Sequence, residues 1–284
     1  MSKEIKIGLI GAGWMGKAHT TAFHNARMIF GDDMPVFELV SDVSEDAVAK
    51  FAKNMGYNRY TTNWMDVVTD PEIDLVDGAT PNCMHYEMAK AALEHGKHVF
   101  CEKAMARTLD ECKAIYDAYA HTDKVLYFCM QRMYDEKYIK GMQMVHSGLI
   151  GDVVGLRCHW FRNADWRRPV PSPELERKIN WRLYKESSGG LMTELACHQL
   201  EVCNWAAKKM PESIMGIGDI VYWKDGREVY DSVNVTYRYS DGVKITYESL
   251  IANKFNGMED QILMKSDPSE QSLKLIEAYA PDID

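Results

Sequence analysis

A glycine-rich segment near the N-terminus is the first place where residue types and spacing could do chemistry. Residues 11–16 read Gly-Ala-Gly-Trp-Met-Gly and fit the pattern GxGxxG, between a predicted buried strand and a predicted helix. Gly11 would allow a tight turn, Gly13 would let a pyrophosphate approach the backbone, and Gly16 would let the helix pack on the strand. Because a helix N-terminus attracts phosphates, we predict a dinucleotide site formed by Gly11, Ala12, Gly13, Trp14, Met15 and Gly16.

Asp42 stands at the end of the second predicted strand, where a carboxylate can accept hydrogen bonds from the adenosine ribose hydroxyls. It lies somewhat farther from the glycine motif than usual, and the turn at residues 31–33 can absorb the excess. A carboxylate there repels the 2′-phosphate of NADP, and no arginine follows immediately, so NAD is favoured over NADP. The alternative is that Asp42 only caps the next helix, although Ser44 offers another cap.

Two later segments extend the pattern. The first contains Thr80-Pro81-Asn82 with His85, followed by Glu102-Lys103, and the second contains Trp181-Arg182, Ser188-Gly189-Gly190, Glu194, His198 and Glu201. Together with the glycine motif, these segments make almost the whole chain resemble the glucose-fructose oxidoreductase and inositol dehydrogenase family, also written Gfo/Idh/MocA. The family has a proline where this chain has Ala104, and aspartates where it has Glu194 and Glu201.

The resemblance implies further residues that contact the cofactor and a lysine that reaches the reacting hydroxyl. That lysine is Lys103. The cofactor-contacting positions carried over from the family, besides the glycine motif and Asp42, are Thr80, Pro81, Asn82, His85, Glu102, Lys103, Arg132, Trp181 and Arg182.

Three ionisable residues of one predicted helix could handle a proton. Glu194, His198 and Glu201 are spaced i, i+4 and i+7, so they are expected on one helix face. Since histidine titrates near neutral pH, His198 is predicted to be the base that takes a hydroxyl proton. The Lys103 ammonium would stabilise the developing alkoxide, and Glu194 would position the imidazole or grip the substrate. The plainer alternatives are a structural histidine and a solvated lysine; no metal site is predicted.

Tryptophan and arginine are concentrated before and within residues 162–187, a long irregular stretch. Flat apolar faces beside fixed hydrogen-bond donors suit pyranose rings or cofactor phosphates. We therefore expect a carbohydrate substrate, the alternative being a packed lid or an oligomer contact. The residues concerned are Trp160, Arg162, Trp166, Arg167, Trp181 and Arg182.

The elements that must position the first group of residues alternate between strand and helix. Buried strands are predicted at 6–10, 36–41, 73–79, 98–101 and 125–130, and helices follow the glycine motif and occupy 44–55, 87–95 and 108–121. Thr108 and Glu111 form a capping box, and Gly96 suits a left-handed helix end. This order predicts an α/β domain over residues 1–126, a Rossmann fold with a doubly wound parallel sheet.

The pattern changes after about residue 130. Helices are predicted at 135–147 and 191–208, with a strand at 153–160 between them. Alternation at 233–239 and 243–247 around the turn Ser240-Asp241-Gly242 predicts an antiparallel hairpin. Residues 127–284 are therefore predicted to form an α+β domain on a mostly antiparallel open sheet, covered on one face by helices.

Composition excludes several classes of protein. The chain has 284 residues, 46% hydrophobic and 26% charged, which is ordinary for a globular protein and sufficient for two domains. Its 42 acidic and 33 basic side chains give a net charge of −9, which disfavours nucleic acid as a partner. No apolar run approaches the ~20 residues of a membrane span, and no signal-peptide pattern is present, so a cytoplasmic location is expected. The seven cysteines form no CxxC pair and are expected to be reduced.

These observations predict an NAD-dependent oxidoreductase that transfers hydride between the nicotinamide and a secondary hydroxyl or ketone of a sugar, cyclitol or glycoside. The alternatives are a redox-neutral enzyme that uses bound NAD for transient oxidation and a catalytically silent NAD-binding sensor. The resemblance also implies a homo-oligomer formed through the C-terminal sheet. Family members usually continue beyond this length, so either that sheet is short or the chain is a truncated version.

Overall fold

The computed structural model describes residues 4–31, 35–163 and 166–264 of the chain. These residues belong to two compact units, Met1–Cys129 and Met130–Asp284. Each unit has its own sheet and its own buried core.

The sheet of the first unit has six parallel strands in the order β3-β2-β1-β4-β5-β6. Its strands are β1 (Lys6–Ile10), β2 (Val36–Ser41), β3 (Arg59–Thr61), β4 (Leu75–Gly78), β5 (His98–Cys101) and β6 (Leu126–Phe128). The chain adds β2 and β3 on one side of β1, then crosses to build the other half. This order confirms the predicted doubly wound Rossmann sheet.

Helices α1 (Trp14–Phe30), α2 (Glu45–Met55), α3 (Trp64–Thr69), α4 (His85–Glu94) and α5 (Leu109–Ala120) connect these strands. The predicted capping box of α5 is present, because Thr108 accepts from the Glu111 N–H and the Glu111 carboxylate accepts from the Thr108 N–H. Gly96, just after α4, has φ +70°, as predicted for a left-handed helix end. Ser44 occupies the N-cap of α2, but its side chain makes no capping hydrogen bond.

Two elements of the first unit were not predicted, and several boundaries differ; β6, for example, is shorter than the predicted strand 125–130. Strand β3 has three residues, two of them exposed, so it shows no periodic pattern, and α3 has only six residues. Strand β4 begins at Leu75 rather than at 73, because the Ile73 N–H is used in a turn to the Asp70 carbonyl. Helix α4 begins two residues early, at His85, because a 3₁₀ turn at Asn82–Met84 leads directly into it.

The sheet of the second unit has five strands in the order β11-β7-β10-β9-β8. They are β7 (Val153–Asn163), β8 (Ser213–Asp219), β9 (Ser232–Arg238), β10 (Lys244–Leu250) and β11 (Ala252–Met264). Only the β10–β7 pair is parallel, which confirms a mostly antiparallel sheet. The predicted hairpin is β9–β10, with Lys244 opposite Arg238. Alternate residues of β10 are buried and exposed, so one face of the sheet carries the core.

Helices α6 (Glu136–His146) and α8 (Cys197–Ala207) contribute Met142, Val202 and Cys203 to the core that covers this face. The long stretch before α8 contains 3₁₀ turns at Pro173–Leu175 and Trp181–Leu183 and the short helix α7 (Glu176–Ile179). The predicted single helix over 191–208 is not uniform, because Met192–Ala196 is π-helical. No helix within the described ranges is both long and apolar enough to cross a membrane.

Candidate active site

The glycine motif forms the turn from β1 into α1, and its three glycines meet three different surroundings. Gly11 has φ +104°, and a Cβ there would lie 2.6 Å from the Ala79 carbonyl oxygen. A Cβ on Gly16 would collide with the Gly11 carbonyl oxygen, whereas a Cβ on Gly13 would meet nothing within 4 Å. Gly13 and Trp14 are exposed, and Gly16 is buried. The turn therefore depends on Gly11 and Gly16, while the main chain at Gly13 is open to a ligand.

The carboxylate of Asp42 contributes to the same turn. Its Oδ2 accepts a hydrogen bond of 2.9 Å from the Ala12 N–H, and the Gly11 N–H donates to the Ser41 carbonyl at 2.9 Å. Ser44, rather than Asp42, occupies the N-cap of α2. The capping alternative for Asp42 is therefore not what the structure has: the side chain lies beside the glycine turn, at the carboxyl end of β2.

The Thr80-Pro81-Asn82 segment follows β4, the neighbour of β1 on the side opposite β2. The Ala79 N–H donates to the Ile10 carbonyl at 2.8 Å, which joins the ends of the two strands. Between these strands the order of the sheet reverses, the place where such sheets bind dinucleotides. The buried Thr80 Oγ1 has no hydrogen-bond partner among the described residues. This orphaned hydroxyl and the open surface at Gly13 fit a bound NAD.

His85 has a different position from the one predicted. Its side chain is fully buried, with Nδ1 2.6 Å from the Ala104 carbonyl oxygen and Nε2 3.1 Å from the Thr80 carbonyl oxygen. Both ring nitrogens are therefore used within the protein. We correct the predicted cofactor contact: His85 joins the loop after β4 to the loop after β5.

Glu102 and Lys103 follow β5 at the same edge of the sheet. The Glu102 N–H donates to the Gly78 carbonyl at 2.8 Å, and the Glu102 Oε2 accepts from the Lys103 N–H at 3.1 Å. The other oxygen, Oε1, lies 3.1 Å from Nε2 of His19, a buried residue of α1. His19 was not among the predicted site residues. The available signal was its position three residues after Gly16, on the buried side of a helix that begins in the cofactor motif.

In the second unit, Glu194 is the centre of a polar cluster. Its side chain is buried, Oε2 accepts from Arg182 Nε at 3.2 Å, and Oε1 accepts from Ser188 Oγ at 3.3 Å. The Arg182 guanidinium also lies 4.2 Å from the centre of the Trp181 ring. The structure thus brings together the Trp-Arg pair, the serine of the glycine run and the first acid of the predicted helix.

A second cluster surrounds Arg132, which is buried. Its guanidinium lies 5.3 Å from the Tyr138 ring centre and 6.0 Å from that of Trp160, and the Trp160 ring lies 6.0 Å from the buried His198 ring. Burial raises the pKa of the Glu201 carboxyl to about 7, and the charge of Arg132 opposes that rise. The raised pKa keeps Glu201, the third residue of the predicted proton-handling group, a candidate for that role.

Two expectations about this part of the chain need correction. Arg167 does not have a guanidinium available for a sugar or a phosphate: Nε donates to Asp225 Oδ2 at 3.0 Å, Nη2 donates to the Asp225 carbonyl at 2.9 Å, and Nη1 contacts Glu176. It holds the long stretch before α8 in place. The segment that carries Glu194, His198 and Glu201 is also not a regular α-helix. The π-helical turn at Met192–Ala196 changes the rotation per residue between Glu194 and His198.

A doubly wound parallel sheet with this glycine turn defines the class of dinucleotide-binding proteins with a Rossmann fold. The chain belongs to one family of that class. Residues 5–129 match the Gfo/Idh/MocA "Oxidoreductase family, NAD-binding Rossmann fold", and residues 138–262 match the "GFO/IDH/MocA C-terminal domain". The family resemblance seen in the sequence is thereby confirmed.

Similar proteins include the levoglucosan dehydrogenase of Pseudarthrobacter phenanthrenivorans, 32% identical over 206 residues that cover 72% of this chain and 51% of that protein. The myo-inositol 2-dehydrogenase of Thermotoga maritima is 25% identical over 76% of this chain and 59% of its own length. A levoglucosan dehydrogenase structure in complex with NADH and levoglucosan has a TM-score of 0.80 and 28% identity, covering 92% of this chain and 71% of that one. The chain thus spans little more than half the length of the curated relatives it matches.

Proposed function

We propose that this chain is an NAD-dependent oxidoreductase that oxidises a secondary hydroxyl of a sugar, cyclitol or glycoside, or reduces the corresponding ketone. The observation that supports this most is the burial of two ionisable side chains on one helical segment: Glu194 is 3% and His198 5% exposed. Burying such groups is costly unless they are paired or used, and ionisable groups in unusual surroundings concentrate at catalytic sites.

The residues that would hold NAD are the open main chain at Gly13, the carboxylate of Asp42 and the hydroxyl of Thr80. When bound, NAD supplies the acceptor for the hydride that leaves the substrate carbon. His198 would take the hydroxyl proton. Lys103, as an ammonium, would stabilise the negative charge that develops on the substrate oxygen.

Glu194 is proposed to position rather than to transfer a proton. Both of its oxygens accept hydrogen bonds, from Arg182 and Ser188. A carboxylate held in this way keeps its neighbours in place, and replacement by glutamine leaves its shape and one oxygen unchanged. We therefore assign it a smaller kinetic role than His198.

The proposed substrate class is a six-membered ring carrying several hydroxyl groups. Two relatives are named as dehydrogenases of levoglucosan and of myo-inositol, both of which are such rings. In this chain, Trp160 and Trp181 offer flat apolar faces beside the cations of Arg132 and Arg182. Aromatic faces beside fixed donors are suited to sugar rings.

The test begins with levoglucosan, inositols, pyranoses and glycosides as trial substrates, and the absorbance of NADH monitors each reaction. With a substrate identified, single-turnover measurements should show hydride transfer slowed by about 10²- to 10⁴-fold in His198→Asn, the usual contribution of a general base. Lys103→Ala should be slowed similarly, and Glu194→Gln less, with NAD affinity unchanged in all three.

His146→Asn is the matched control. His146 belongs to the same unit, but its Nε2 contacts the Trp205 carbonyl at 2.9 Å, a structural role. Its rate should equal that of the wild type. Wild-type rates in both His198→Asn and Lys103→Ala would refute the assignment. Product formation without net NADH would replace it with a redox-neutral reaction, and binding of NAD without turnover of any substrate would indicate a sensor.

We further propose that two copies of the chain associate through the sheet of the second unit. Its edge strand β8 exposes three large apolar side chains, Ile214, Met215 and Ile217, at 63%, 74% and 81%. Apolar side chains on an edge strand favour pairing with another chain. Sedimentation velocity should therefore give a dimer, and a monomer at micromolar concentration would exclude this association.

A further inference from the structure

His19 lies in the first unit between two carboxylates that come from neighbouring strands. Its Nδ1 is 2.9 Å from Oδ1 of Asp77, a fully buried residue of β4, and its Nε2 is 3.1 Å from Oε1 of Glu102, just after β5. The ring of Phe100 packs edge-on at 5.2 Å between centroids. Three separate elements therefore fix the orientation of this imidazole.

The charges in this cluster favour a protonated imidazole. Burial opposes the charge, but hydrogen bonds with Asp77, Cys129 and Glu102 outweigh it and raise the pKa of His19 well above its usual value. Carboxylate oxygens only accept, so an imidazolium satisfies both of them with its two N–H groups. Burial raises the pKa of Asp77, whereas contact with His19 keeps that of Glu102 low in spite of burial.

Three other titratable groups lie close to the cluster. Burial raises the pKa of each: the thiols of Cys101 and Cys129 and the phenol of Tyr57. All three therefore remain neutral near pH 7. The imidazolium of His19 is thus a cation inside the fold that compensates these acids, and the charge of Lys103 adds to its effect on Glu102.

The effect of this cluster reaches Lys103 through Glu102. The Glu102 carboxylate uses Oε1 for His19 and Oε2 for the main-chain N–H of Lys103, at 3.1 Å. On the other side of Lys103, the Ala104 carbonyl is held by His85. If the Glu102 carboxylate rotated, it would therefore disturb the main chain of Lys103, whose side chain carries the ammonium group.

We propose that His19 is a positioning residue that, through Glu102, places the main chain of Lys103 for hydride transfer. Part of this inference rests on the proposed function, because the kinetic role of Lys103 does. The geometric part does not: it states that the hydrogen bond between His19 and Glu102 holds the Lys103 amide.

A metal ion is the competing explanation for the same residues. The ligand atoms of His19, Glu102 and Cys129 lie within 4.8 Å of one another. However, Nε2 of His19 lies 3.1 Å from Oε1 of Glu102, and Nδ1 lies 2.9 Å from Oδ1 of Asp77, both hydrogen-bond distances. A metal ligand set would need a neutral imidazole and a thiolate. The observed contacts therefore favour hydrogen bonding.

Two variants of His19 separate the hydrogen bond to Glu102 from the rest of the site. The amide nitrogen of glutamine can take the place of Nε2 and donate to Glu102, whereas that of asparagine takes the place of Nδ1 and donates only to Asp77. We expect His19→Asn to lower kcat by up to about 100-fold, since small misplacements have effects of that size. His19→Gln should recover most of the loss, with NAD affinity unchanged in both.

Tyr57→Phe is the matched control, because it removes the hydroxyl that contacts Thr20 at 3.2 Å beside the same helix and leaves Glu102 untouched. Its kcat should be that of the wild type. Equal kcat in His19→Asn, His19→Gln and the wild type would overturn the positioning role. A loss of kcat that tracks the loss of thermal stability, rather than the presence of an amide that can donate to Glu102, would also overturn it.

Hydrogen–deuterium exchange of the Lys103 amide tests the geometric part without a substrate. Exchange should be faster in His19→Asn and near the wild-type rate in His19→Gln, whether or not the chain proves to be a dehydrogenase. Unchanged exchange in His19→Asn would overturn the inference while leaving the proposed function intact. Stoichiometric binding of Zn²⁺ that is lost in Cys129→Ser would also overturn it, in favour of a metal site.

Discussion

The two units build their polar sites from different parts of the chain. In the first unit, the candidate cofactor surface is mostly main chain: the open backbone at Gly13, the turn at Gly11 and hydrogen bonds between strand ends. In the second unit, the site consists of side chains, with Arg182 and Ser188 donating hydrogen bonds to Glu194. A surface made of backbone fails when a Cβ is added, whereas a surface made of side chains fails when a charge is removed.

Both units nevertheless bury an acidic side chain beside a basic one. Asp77 is compensated by His19, and Glu194 by Arg182. The first partner comes from a helix and the second from a 3₁₀ turn. The difference is in solvent access: the His19 side chain is 8% exposed, and that of Arg182 is 34% exposed. A partner that reaches solvent can rearrange around a ligand, while one enclosed in the core keeps a fixed geometry.

The largest effect should come from alanine at Gly11, which tests the dependence on backbone directly. The added methyl group meets the Ala79 carbonyl, and φ +104° is unfavourable for alanine. Strain and overpacking together should lower the free energy of unfolding by at least about 2 kcal/mol. Thermal unfolding followed by circular dichroism measures this.

Gly13→Ala is the matched control for that variant. Because its methyl group meets nothing in the protein, stability should be unchanged, while the affinity for NAD measured by calorimetry falls at least about tenfold through contact with the pyrophosphate. If Gly13→Ala binds NAD normally, the open backbone is not the phosphate site.

An intermediate effect is expected at Asp42, the one charged side chain in the proposed NAD-binding set. The wild type should bind NAD more tightly than NADP. In Asp42→Ala, the ribose hydrogen bonds and the repulsion of the 2′-phosphate disappear together, so NAD should weaken by about tenfold and the gap to NADP should narrow. Calorimetric titration with both cofactors measures the two affinities.

Asp42→Asn distinguishes charge from local structure, since it keeps an acceptor for the Ala12 N–H. It should retain the glycine turn and still lose part of the preference for NAD. Equal binding of NAD and NADP by the wild type would contradict the role of Asp42 in cofactor choice.

The smallest effect concerns Glu201 in the second unit and depends on pH. Its pKa of about 7 in the folded chain exceeds the ordinary value of 4.5, so the folded state holds the proton more tightly. Its contribution to stability is therefore greatest below pH 4.5 and is lost as the pH rises to about 7. Glu201→Gln should unfold at a higher temperature than the wild type at pH 8, and at the same temperature at pH 4.

Glu228→Gln should show the opposite sign. Hydrogen bonds from Arg177 and from the Lys185 N–H lower the pKa of Glu228, so its contribution is present at neutral pH and is lost as the pH falls. Equal thermal shifts of Glu201→Gln at pH 4 and pH 8 would show that Glu201 has an ordinary pKa.

Much of the fold could be predicted because its signals are local. The turn at Gly11–Gly16, the capping box of Thr108 and Glu111 and the hairpin β9–β10 each depend on residues only a few positions apart. The short elements β3 and α3 were not predicted, because segments of three to six residues show too little periodicity. The π-helical turn at Met192–Ala196 escaped for another reason: its hydrogen bonds are not encoded by a distinct residue pattern.

The candidate site was likewise predictable only in part. Its residue types were predictable, but the placements of His85 and Arg167 were not, because their partners are the Ala104 carbonyl, Glu176 and Asp225. A histidine in a motif does not reveal whether its nitrogens face a ligand or the backbone. Likewise, an arginine in a tryptophan-rich stretch does not reveal that two carboxylates already occupy it.

The amino-acid sequence by itself determined the alternation of the longer strands and helices, the glycine turn and the family, since all three follow from spacing along the chain. Only the tertiary structure decided which polar groups meet. His19 is 58 residues from Asp77 and 83 from Glu102, and they come within hydrogen-bond distance only because α1 lies against the sheet in which β4 and β5 are neighbours. The raised pKa of Glu201 is likewise a property of its surroundings, because burial removes the water that would stabilise its charge.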